Sequence, residues 1–428
     1  MSRKQRFSAP LTRREFLHHS GVCGLGLLSF SSYVPAFLAR ASAAQVPLAE
    51  KDRTILVMVQ LAGGNDGLNT VVPFANDHYH KLRPTLALRE GILPITDDLA
   101  LHPSCEALRR LYGDGQLAII QNVGYPNPNR SHFRSSEIWE TATDSDHIAS
   151  TGWVGRFFDN TCAGSPQADS ASSGQTPRGI HVGDVVPQAF HARELHNLFG
   201  LPRGGGAVGR RGDPRVDAAF QQLLNSPAAN PQERFLQHTM LDVMVTEQRV
   251  VEAIRDHAGG VDYPATALAR SLRQVAALIA SGLETRVYFV SQGGYDTHAN
   301  QAATHSRLLT ELSEALAAFQ RDLAFKKRAD QVTTLTFSEF GRRADENAGA
   351  GTDHGAAAPL FVMGSAVNGG IYGPSPELDE SAREVDFTTD FRAVYATMLE
   401  RWWQTPAKTV LGQDFAPMDF LAINNSRK

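Results

Sequence analysis

The chain of 428 residues has a formal net charge of −4 and is 42% hydrophobic, enough apolar material for one large domain or two smaller ones. Its first 44 residues carry six Lys or Arg and one Glu, so the remainder is more acidic than the whole. This balance argues against nucleic acid or another polyanion as a partner.

The N-terminal segment has the three parts of an export signal. The twin-arginine signature Thr12-Arg13-Arg14-Glu15-Phe16-Leu17 precedes a weakly apolar stretch at 21–38 and small residues at 41–44. This order predicts a signal peptide over residues 1–44, export through the twin-arginine translocon, and a periplasmic or secreted protein. A retained membrane anchor is the alternative, because residues 22–39 approach the length that spans a bilayer.

Short apolar runs alternate with helix-like segments along the rest of the chain. The predicted strands are Thr54–Leu61, Leu117–Val123, Arg286–Val290, Val332–Phe337 and Leu360–Met363. The predicted helices are Ser104–Tyr112, one from about His132, Gln232–His257, Thr266–Ile279, Ala303–Leu323 and Phe391–Trp403. This alternation predicts a single α/β domain over 45–428 with a doubly wound, mostly parallel sheet. Residues 160–283 are predicted to be a loop and helical insertion.

Two of the three cysteines lie beyond the predicted signal peptide. Cys105 and Cys162 either form a disulfide in an oxidising compartment or remain free, and the sequence does not decide between these states. Neither has the spacing of a metal-ligand motif.

Loops that carry acids and histidines follow the predicted strands. Asp66 follows the first strand, Asp296 and His298 follow the strand that ends at Val290, and Asp353-His354 comes after Phe337. In α/β proteins, loops at the carboxyl ends of the strands form the ligand site. Carboxylate and imidazole groups are ligands for zinc or manganese, so we predict a site for one or two divalent ions.

Several of these residues also have ordinary structural interpretations. Asp66 could be an ordinary residue of a Gly-rich turn, and Asp353 could cap a helix beside a surface histidine. His305 is either a further metal ligand or an ordinary histidine of the following helix. Glu339, after its own strand, is a candidate ligand, general base or salt-bridge partner.

Ser131 precedes a predicted helix, where the positive end of the helix dipole favours an anionic substrate. It is either a nucleophile activated by a metal or an N-cap residue. Its neighbours Arg130, His132 and Arg134 are candidate contacts for a small anionic ester.

The order of Asp66, Ser131, Asp296 with His298, and the pair Asp353-His354 resembles the alkaline phosphatase and sulfatase superfamily. A closer resemblance, to the DUF1501 family (domain of unknown function) of exported bacterial proteins, covers nearly the whole chain after the predicted signal peptide. It rests on the twin-arginine leader and on the motifs Gly63–Thr70, Ser131–Phe133, Tyr295–His298, Ser338–Arg342 and Thr352–Gly355. The resemblance implies an α/β fold of alkaline phosphatase/sulfatase type but little established chemistry.

The chain departs from the superfamily pattern at two places. Two-metal members use a histidine after the Asp-His pair, whereas this chain has none after His354, so His305 or His132 must replace it or one metal site is missing. Sulfatases convert Cys or Ser in a Cys/Ser-x-Pro-x-Arg motif to formylglycine. Here Pro126–Arg130 has proline at the reactive position, which argues against that chemistry.

The leading hypothesis is an exported metal-dependent hydrolase of a phosphate or sulfate ester. In it Ser131 attacks, one ion is bound by Asp66, Asp353 and His354, and a second is bound by Asp296, His298 and His305. The first alternative is a catalytically inactive binding or assembly protein of the periplasm. The second is an enzyme without metal that uses His132 as the base for Ser131.

Overall fold

The structure is a computed structural model that describes residues 54–162, 176–183, 185–194, 196–203 and 246–422. The predicted signal peptide and a large part of the predicted insertion lie outside these ranges. Within them, no helix has the length and apolar character needed to cross a membrane.

The strands, in chain order, are β1 (Ile55–Ala62), β2 (Val71–Val72), β3 (Leu93–Pro94), β4 (Ala100–Leu101), β5 (Leu117–Gly124), β6 (Gly179–Val182), β7 (Leu198–Leu201), β8 (Val287–Gly293), β9 (Val332–Phe337), β10 (Ala358–Met363), β11 (Gly370–Tyr372) and β12 (Thr389–Asp390). The helices are α1 (Asp77–Leu82), α2 (Glu106–Gly113), α3 (His132–Thr141), α4 (Trp153–Cys162), α5 (Ala267–Ala280), α6 (Gln301–Phe325), α7 (Phe391–Thr397) and α8 (Ala407–Leu411). Residues 246–257 are also helical, and α7 continues into a π-helical turn at Met398–Trp402.

Nine of the described strands form one sheet in the order β11-β5-β10-β9-β1-β8-β6-β7, with β12 also paired to β5. Strand β1 lies between β8 and β9 and is parallel to both, whereas β10 is antiparallel to β9 and β5. The prediction of an α/β fold with a mostly parallel sheet is confirmed. Strands β6 and β7, inside the predicted insertion, extend this sheet beyond β8.

Strand β1 is apolar at every position except Gln60 because helices cover both faces of the sheet. Val57 and Val59 belong to the core that contains the apolar faces of α5 and α6, and Leu56 and Met58 belong to the core on the other face. Adjacent residues of a strand point to opposite faces, so a strand buried on both sides needs an unbroken apolar run.

A second, three-stranded antiparallel sheet, in the order β2-β4-β3, lies in the segment between β1 and β5. The nearby Cys105 is a free, buried cysteine, and burial raises the pKa of its thiol to about 12. A thiol with so high a pKa stays protonated and unreactive near neutral pH.

Candidate metal centre

Three side chains from separate loops meet at the carboxyl edge of the sheet. His132 opens α3 after β5, Asp296 follows β8, and His354 lies in the loop that connects β9 to β10. One potential ligand atom from each lies within 4.8 Å of the others, so these residues could together hold a metal ion. Strands β8 and β9 are the two parallel neighbours of β1, which explains why loops so distant in sequence converge here.

The distances within this group are close to those between ligand atoms around one metal ion. Nε2 of His354 lies 3.0 Å from Oδ1 of Asp296, and Nε2 of His132 lies 3.4 Å from Oδ2 of the same carboxylate. His298 adds a third imidazole, with its Nε2 also 3.0 Å from Oδ1 of Asp296. Ligand atoms about 2.0–2.1 Å from a tetrahedral zinc ion are about 3.4 Å apart. We call these four residues the metal cluster: His132, Asp296, His298 and His354.

Each histidine of the metal cluster has its other ring nitrogen against an oxygen acceptor. Nδ1 of His354 lies 2.8 Å from the carbonyl oxygen of Arg130, Nδ1 of His132 lies 2.9 Å from Oε1 of Glu339, and Nδ1 of His298 lies 3.2 Å from Oδ1 of Asp353. Metal-binding histidines commonly donate their second N–H to such partners, which fixes the ring and its tautomer.

The partner of His354 determines which of its nitrogens carries hydrogen. A carbonyl oxygen only accepts, so Nδ1 must donate, and in a neutral ring Nε2 then presents a lone pair to Asp296. Nε2 of His354 is also 3.0 Å from Nε2 of His298. Lone pairs that face a carboxylate at this distance require a proton or a cation between them, so the donor set fits a bound metal ion.

Phe340 supports two rings of the metal cluster. Its ring stacks on His354 with centroids 4.3 Å apart and lies 4.9 Å from the ring of His132. Phe340 is buried, so the two imidazoles rest on a fixed apolar surface. Position 64 requires glycine, since Gly64 has a φ of +83° and a Cβ there would collide with the Phe340 ring.

The buried side chain of Arg342 joins the loops that carry the metal cluster. It donates to Oδ1 of Asp296 at 2.8 Å, and to four backbone carbonyls: those of Gly63, Gly64 at 2.7 Å, Tyr295 at 3.0 Å and Thr352 at 2.8 Å. Partial burial alone would raise the pKa of Asp296, but the hydrogen bond and the charge of Arg342 hold it well below its usual range.

Glu339 lies just behind His132. It is buried, and its Oε1 accepts from Nδ1 of His132 and, at 2.8 Å, from the backbone N–H of Gly63. Its Oε2 is buried without a hydrogen-bond partner among the described residues. Of the three roles that the sequence allows for Glu339, its contact with His132 is closest to that of a salt-bridge partner.

Asp66 and His305, which the sequence predicts as metal ligands, are not brought into the metal cluster. Asp66 is fully buried and pairs with Arg83 at 2.7 Å. Burial raises its pKa, but the Arg83 charge and hydrogen bond outweigh this and the net effect lowers it. Nε2 of His305 lies 3.0 Å from Oδ1 of Asn65, and burial lowers the pKa of His305 to about 4, so the ring is neutral near pH 7.

A buried hydrogen-bond network connects Asp66 to the loops that carry the metal cluster. Gln301, at the start of α6, donates to Asp66 and accepts from the hydroxyls of Thr297 at 3.0 Å and Thr352 at 2.6 Å. These threonines are the neighbours of His298 and Asp353 in sequence. Asp66 is therefore structurally coupled to the cluster loops while its own charge is neutralised by Arg83.

Ser131 is exposed at the residue before α3, and its side chain does not cap the helix. Its backbone N–H donates to Oδ1 of Asn129 at 2.9 Å. The residue before it, Arg130, contacts His354 through its carbonyl, and the residue after it, His132, belongs to the metal cluster. The N-cap role is not observed, and the role of nucleophile stays a prediction.

Two arginines lie beside the metal cluster. Nη2 of Arg130 is 2.7 Å from Oε1 of Glu384, and Arg343 has looser contacts, at 3.7 Å, with Glu384 and with Asp353. Arg343 is not among the predicted site residues, although it directly follows the Ser338–Arg342 motif. Arg134, predicted as a substrate contact, instead pairs with Glu137 and donates to backbone carbonyls of the loop at 145–147.

The fold and site define an α/β protein with a histidine and aspartate cluster at the carboxyl edge of a mostly parallel sheet. The chain belongs to the DUF1501 family: the model described as "Protein of unknown function (DUF1501)" matches residues 53–412. This confirms the family that the sequence motifs predicted. A search of curated proteins found no match.

Solved structures similar to the chain include members of the superfamily that the sequence resembles. PsFucS1 sulfatase from Pseudoalteromonas sp. is 11% identical with a TM-score of 0.38, covering 97% of this chain and 77% of that one. Alkaline phosphatase from the Antarctic bacterium TAB5 is 13% identical with a TM-score of 0.33, covering 74% and 94%. The C-terminal periplasmic domain of EcEptC from Escherichia coli is 10% identical with a TM-score of 0.33, covering 75% and 77%. TM-scores this low carry no argument about activity.

Proposed function

We propose that the protein is an exported, metal-dependent hydrolase of a phosphate or sulfate ester. The observation that carries this proposal is the arrangement of three imidazole Nε2 atoms around the Asp296 carboxylate, with every Nδ1 held by an acceptor. His132, Asp296, His298 and His354 would hold one divalent ion, zinc or manganese. When bound, such an ion supplies a Lewis acid that polarises an anionic ester.

Three positive groups around the metal cluster support an anionic substrate. Arg130 and Arg343 flank it, and the N-terminus of the ten-residue helix α3 begins at His132. Helix N-termini and guanidinium groups both favour phosphate and sulfate groups. Asp296 and His298 are exposed, so a substrate can reach the cluster from solvent.

The proposal is tested on protein purified from the periplasm without chelator. We expect about one equivalent of zinc or manganese by elemental analysis, and hydrolysis of at least one member of a phosphate and sulfate ester panel. Removal of the ion with EDTA should abolish turnover, and re-addition should restore it. Less than about a tenth of an equivalent of any divalent metal in freshly isolated protein would contradict the metal site.

The second candidate is a binding or assembly protein that keeps the fold without turnover. The observation in its favour is that no histidine follows His354, where two-metal members of the superfamily that the sequence resembles have one. Metal content together with turnover separates the two candidates. A protein that holds metal but hydrolyses no ester supports the binding role.

Ser131 is the proposed nucleophile. Its hydroxyl would lose its proton and attack phosphorus or sulfur, the ester oxygen would leave and take up a proton as the alcohol, and water would then release the anion from the serine. Ser131→Ala should lower turnover by roughly a thousandfold or more, with little change in metal content. The matched control is Ser136→Ala on the same helix, which should keep full turnover.

The result for Ser131 is interpretable in either direction. If the serine only supports the start of α3, Ser131→Ala should cost no more than about 1 kcal/mol of stability and leave turnover intact. That outcome would remove Ser131 from the reaction and favour a water molecule as the attacking group.

Export by the twin-arginine pathway is part of the proposal and rests on Arg13 and Arg14. The receptor reads the paired guanidinium groups, and lysine lacks their planar set of donors. Replacing both by lysine should leave full-length precursor in the cytoplasm, measured by cell fractionation and immunoblotting. Normal periplasmic accumulation of the double variant would refute the assignment.

A further inference from the structure

Exposed apolar side chains are concentrated beside the metal cluster. Five large apolar side chains are exposed in the part of the chain that the structure describes: Phe133, Ile148, Val185, Val186 and Phe325. Phe325 is at the far end of the long helix α6. Of the other four, Phe133 lies on α3, Ile148 lies in the segment after α3, and Val185 and Val186 lie in the segment after β6. We call these four residues the apolar rim: Phe133, Ile148, Val185 and Val186.

Phe133 is the most exposed of them, with 92% of its surface open to solvent, and it directly follows His132 of the metal cluster. Arg134, the next residue, donates to the carbonyl of His147 at 2.6 Å. This bond brings the segment that carries Ile148 back to the first turn of α3. Ile148 is 77% exposed, so the segment is held in place without covering its apolar side chain.

A second hydrogen bond connects the segment that follows β6. Nε2 of Gln188 donates to the carbonyl of Ala149 at 2.8 Å, which places the segment of Val185 and Val186 beside that of Ile148. Strand β6 is parallel to β8, so the residues after β6 emerge at the same edge of the sheet as Asp296. The apolar rim and the metal cluster therefore share one edge of the protein.

An exposed apolar surface next to a polar site is a common mark of ligand binding. Isolated exposed apolar residues are ordinary, but here four of the five described examples lie along one connected path that begins at a residue of the metal cluster. The guanidinium of Arg130, which is 44% exposed and pairs with Glu384 at 2.7 Å, lies on the other flank of His132. The surface thus offers an anion site and an apolar site side by side.

We propose that the apolar rim binds the apolar part, an alkyl chain or aromatic ring, of an amphiphilic anionic substrate whose charged group lies at the metal cluster. This inference rests on the proposed function insofar as the cluster is the anion site. It names the class of substrate: a phosphate or sulfate ester of an apolar alcohol, bound as a single molecule.

The test compares equilibrium binding of two non-hydrolysable probes, decylphosphonate and methylphosphonate, to the full exported protein by calorimetry, below the concentration at which decylphosphonate forms micelles. The wild-type protein should bind decylphosphonate at least tenfold more tightly, because several methylene groups leave water. Phe133→Ser and Ile148→Ser should each lose most of that preference without changing the affinity for methylphosphonate. Phe133→Trp should keep the preference.

The matched control is Phe325→Ser, which removes an exposed apolar residue away from the site and should leave both affinities unchanged. Melting temperatures of all variants should agree with that of the wild type, since these side chains are exposed. Equal affinities of the wild type for the two probes, or no binding of either, would overturn the inference.

Turnover is measured separately on methyl phosphate and decyl phosphate, so that the two proposals fail independently. A preference for decylphosphonate without turnover of any ester would retain the apolar site and contradict the hydrolase. Turnover of both esters with equal kcat/KM, together with equal probe affinities, would support the hydrolase and contradict the apolar site. If the protein instead binds vesicles of phosphatidylcholine and phosphatidylglycerol, loses that binding with Phe133→Ser, and shows no probe preference, the rim is a membrane surface and the inference is wrong.

Discussion

Replacing Asp296 with asparagine should abolish metal binding and with it any hydrolysis. Asp296 is the side chain that all three histidines of the metal cluster approach, and its charge is held ionised by Arg342. Asparagine has nearly the same size, so the loop should keep its shape while the negative ligand is lost. The bound metal, measured by elemental analysis after gel filtration, should fall from about one equivalent to less than about a tenth.

Two other aspartates serve as comparisons. Asp98→Asn alters an exposed aspartate that accepts from the hydroxyls of Thr96 and Ser375, and it should leave metal content unchanged. Asp353→Asn alters the partner of His298, and the metal affinity should fall by about 10–100-fold, as for other residues that orient a ligand. Full metal occupancy in Asp296→Asn would contradict the proposed ligand set.

The sequence predicted the parts of the fold that depend on local pattern. The predicted strand Val332–Phe337 has the observed bounds, and α6 extends the predicted helix by two residues at each end. The sequence also predicted that the loops after the strands meet at one edge of the sheet, and Asp296, His298 and His354 lie together there. That prediction succeeds because the position of a parallel strand's end follows from the sheet itself.

Contacts between distant segments could not be predicted in this way. Asp66 has the same local signature whether it binds a metal or pairs with Arg83, because the choice depends on how the segment containing α1 packs against the loop after β1. Arg342 similarly appears in the sequence as one more charged residue after a glycine. Its contacts with four carbonyls exist only once three loops are assembled.

Arg342→Met should be the most destabilising single change at the site. It would leave the carbonyl groups around the guanidinium without their donor and remove the charge that faces Asp296. Asp296 is itself exposed, so the cost comes mainly from the carbonyl groups. Each buried acceptor left without its donor costs about 1–3 kcal/mol, and we expect the free energy of unfolding to fall by at least about 3 kcal/mol. Urea denaturation followed by circular dichroism measures it, at equal protein concentration for all variants.

The comparison variant is Arg383→Met, since Arg383 is an exposed arginine with a long contact of 3.9 Å to Asp345. Exposed pairs of this kind contribute at most about 1 kcal/mol, so its unfolding curve should nearly overlay that of the wild type. Metal affinity should fall in Arg342→Met although Arg342 is not a ligand, because the loops lose their common anchor. A variant as stable as Arg383→Met would show that the carbonyl contacts matter little.

Strand β1, at the centre of the sheet, must wait for its partner strands while the chain is being synthesised. Ile55 pairs with Val332 on one side, and Leu56 pairs with Val287 on the other, so both partners of this strand are made long after it. At about 5–20 residues per second, the wait for β9 lasts roughly 15–55 s. Throughout that time a bare apolar segment needs shielding from aggregation, and the metal cluster can assemble only after the ribosome has passed His354.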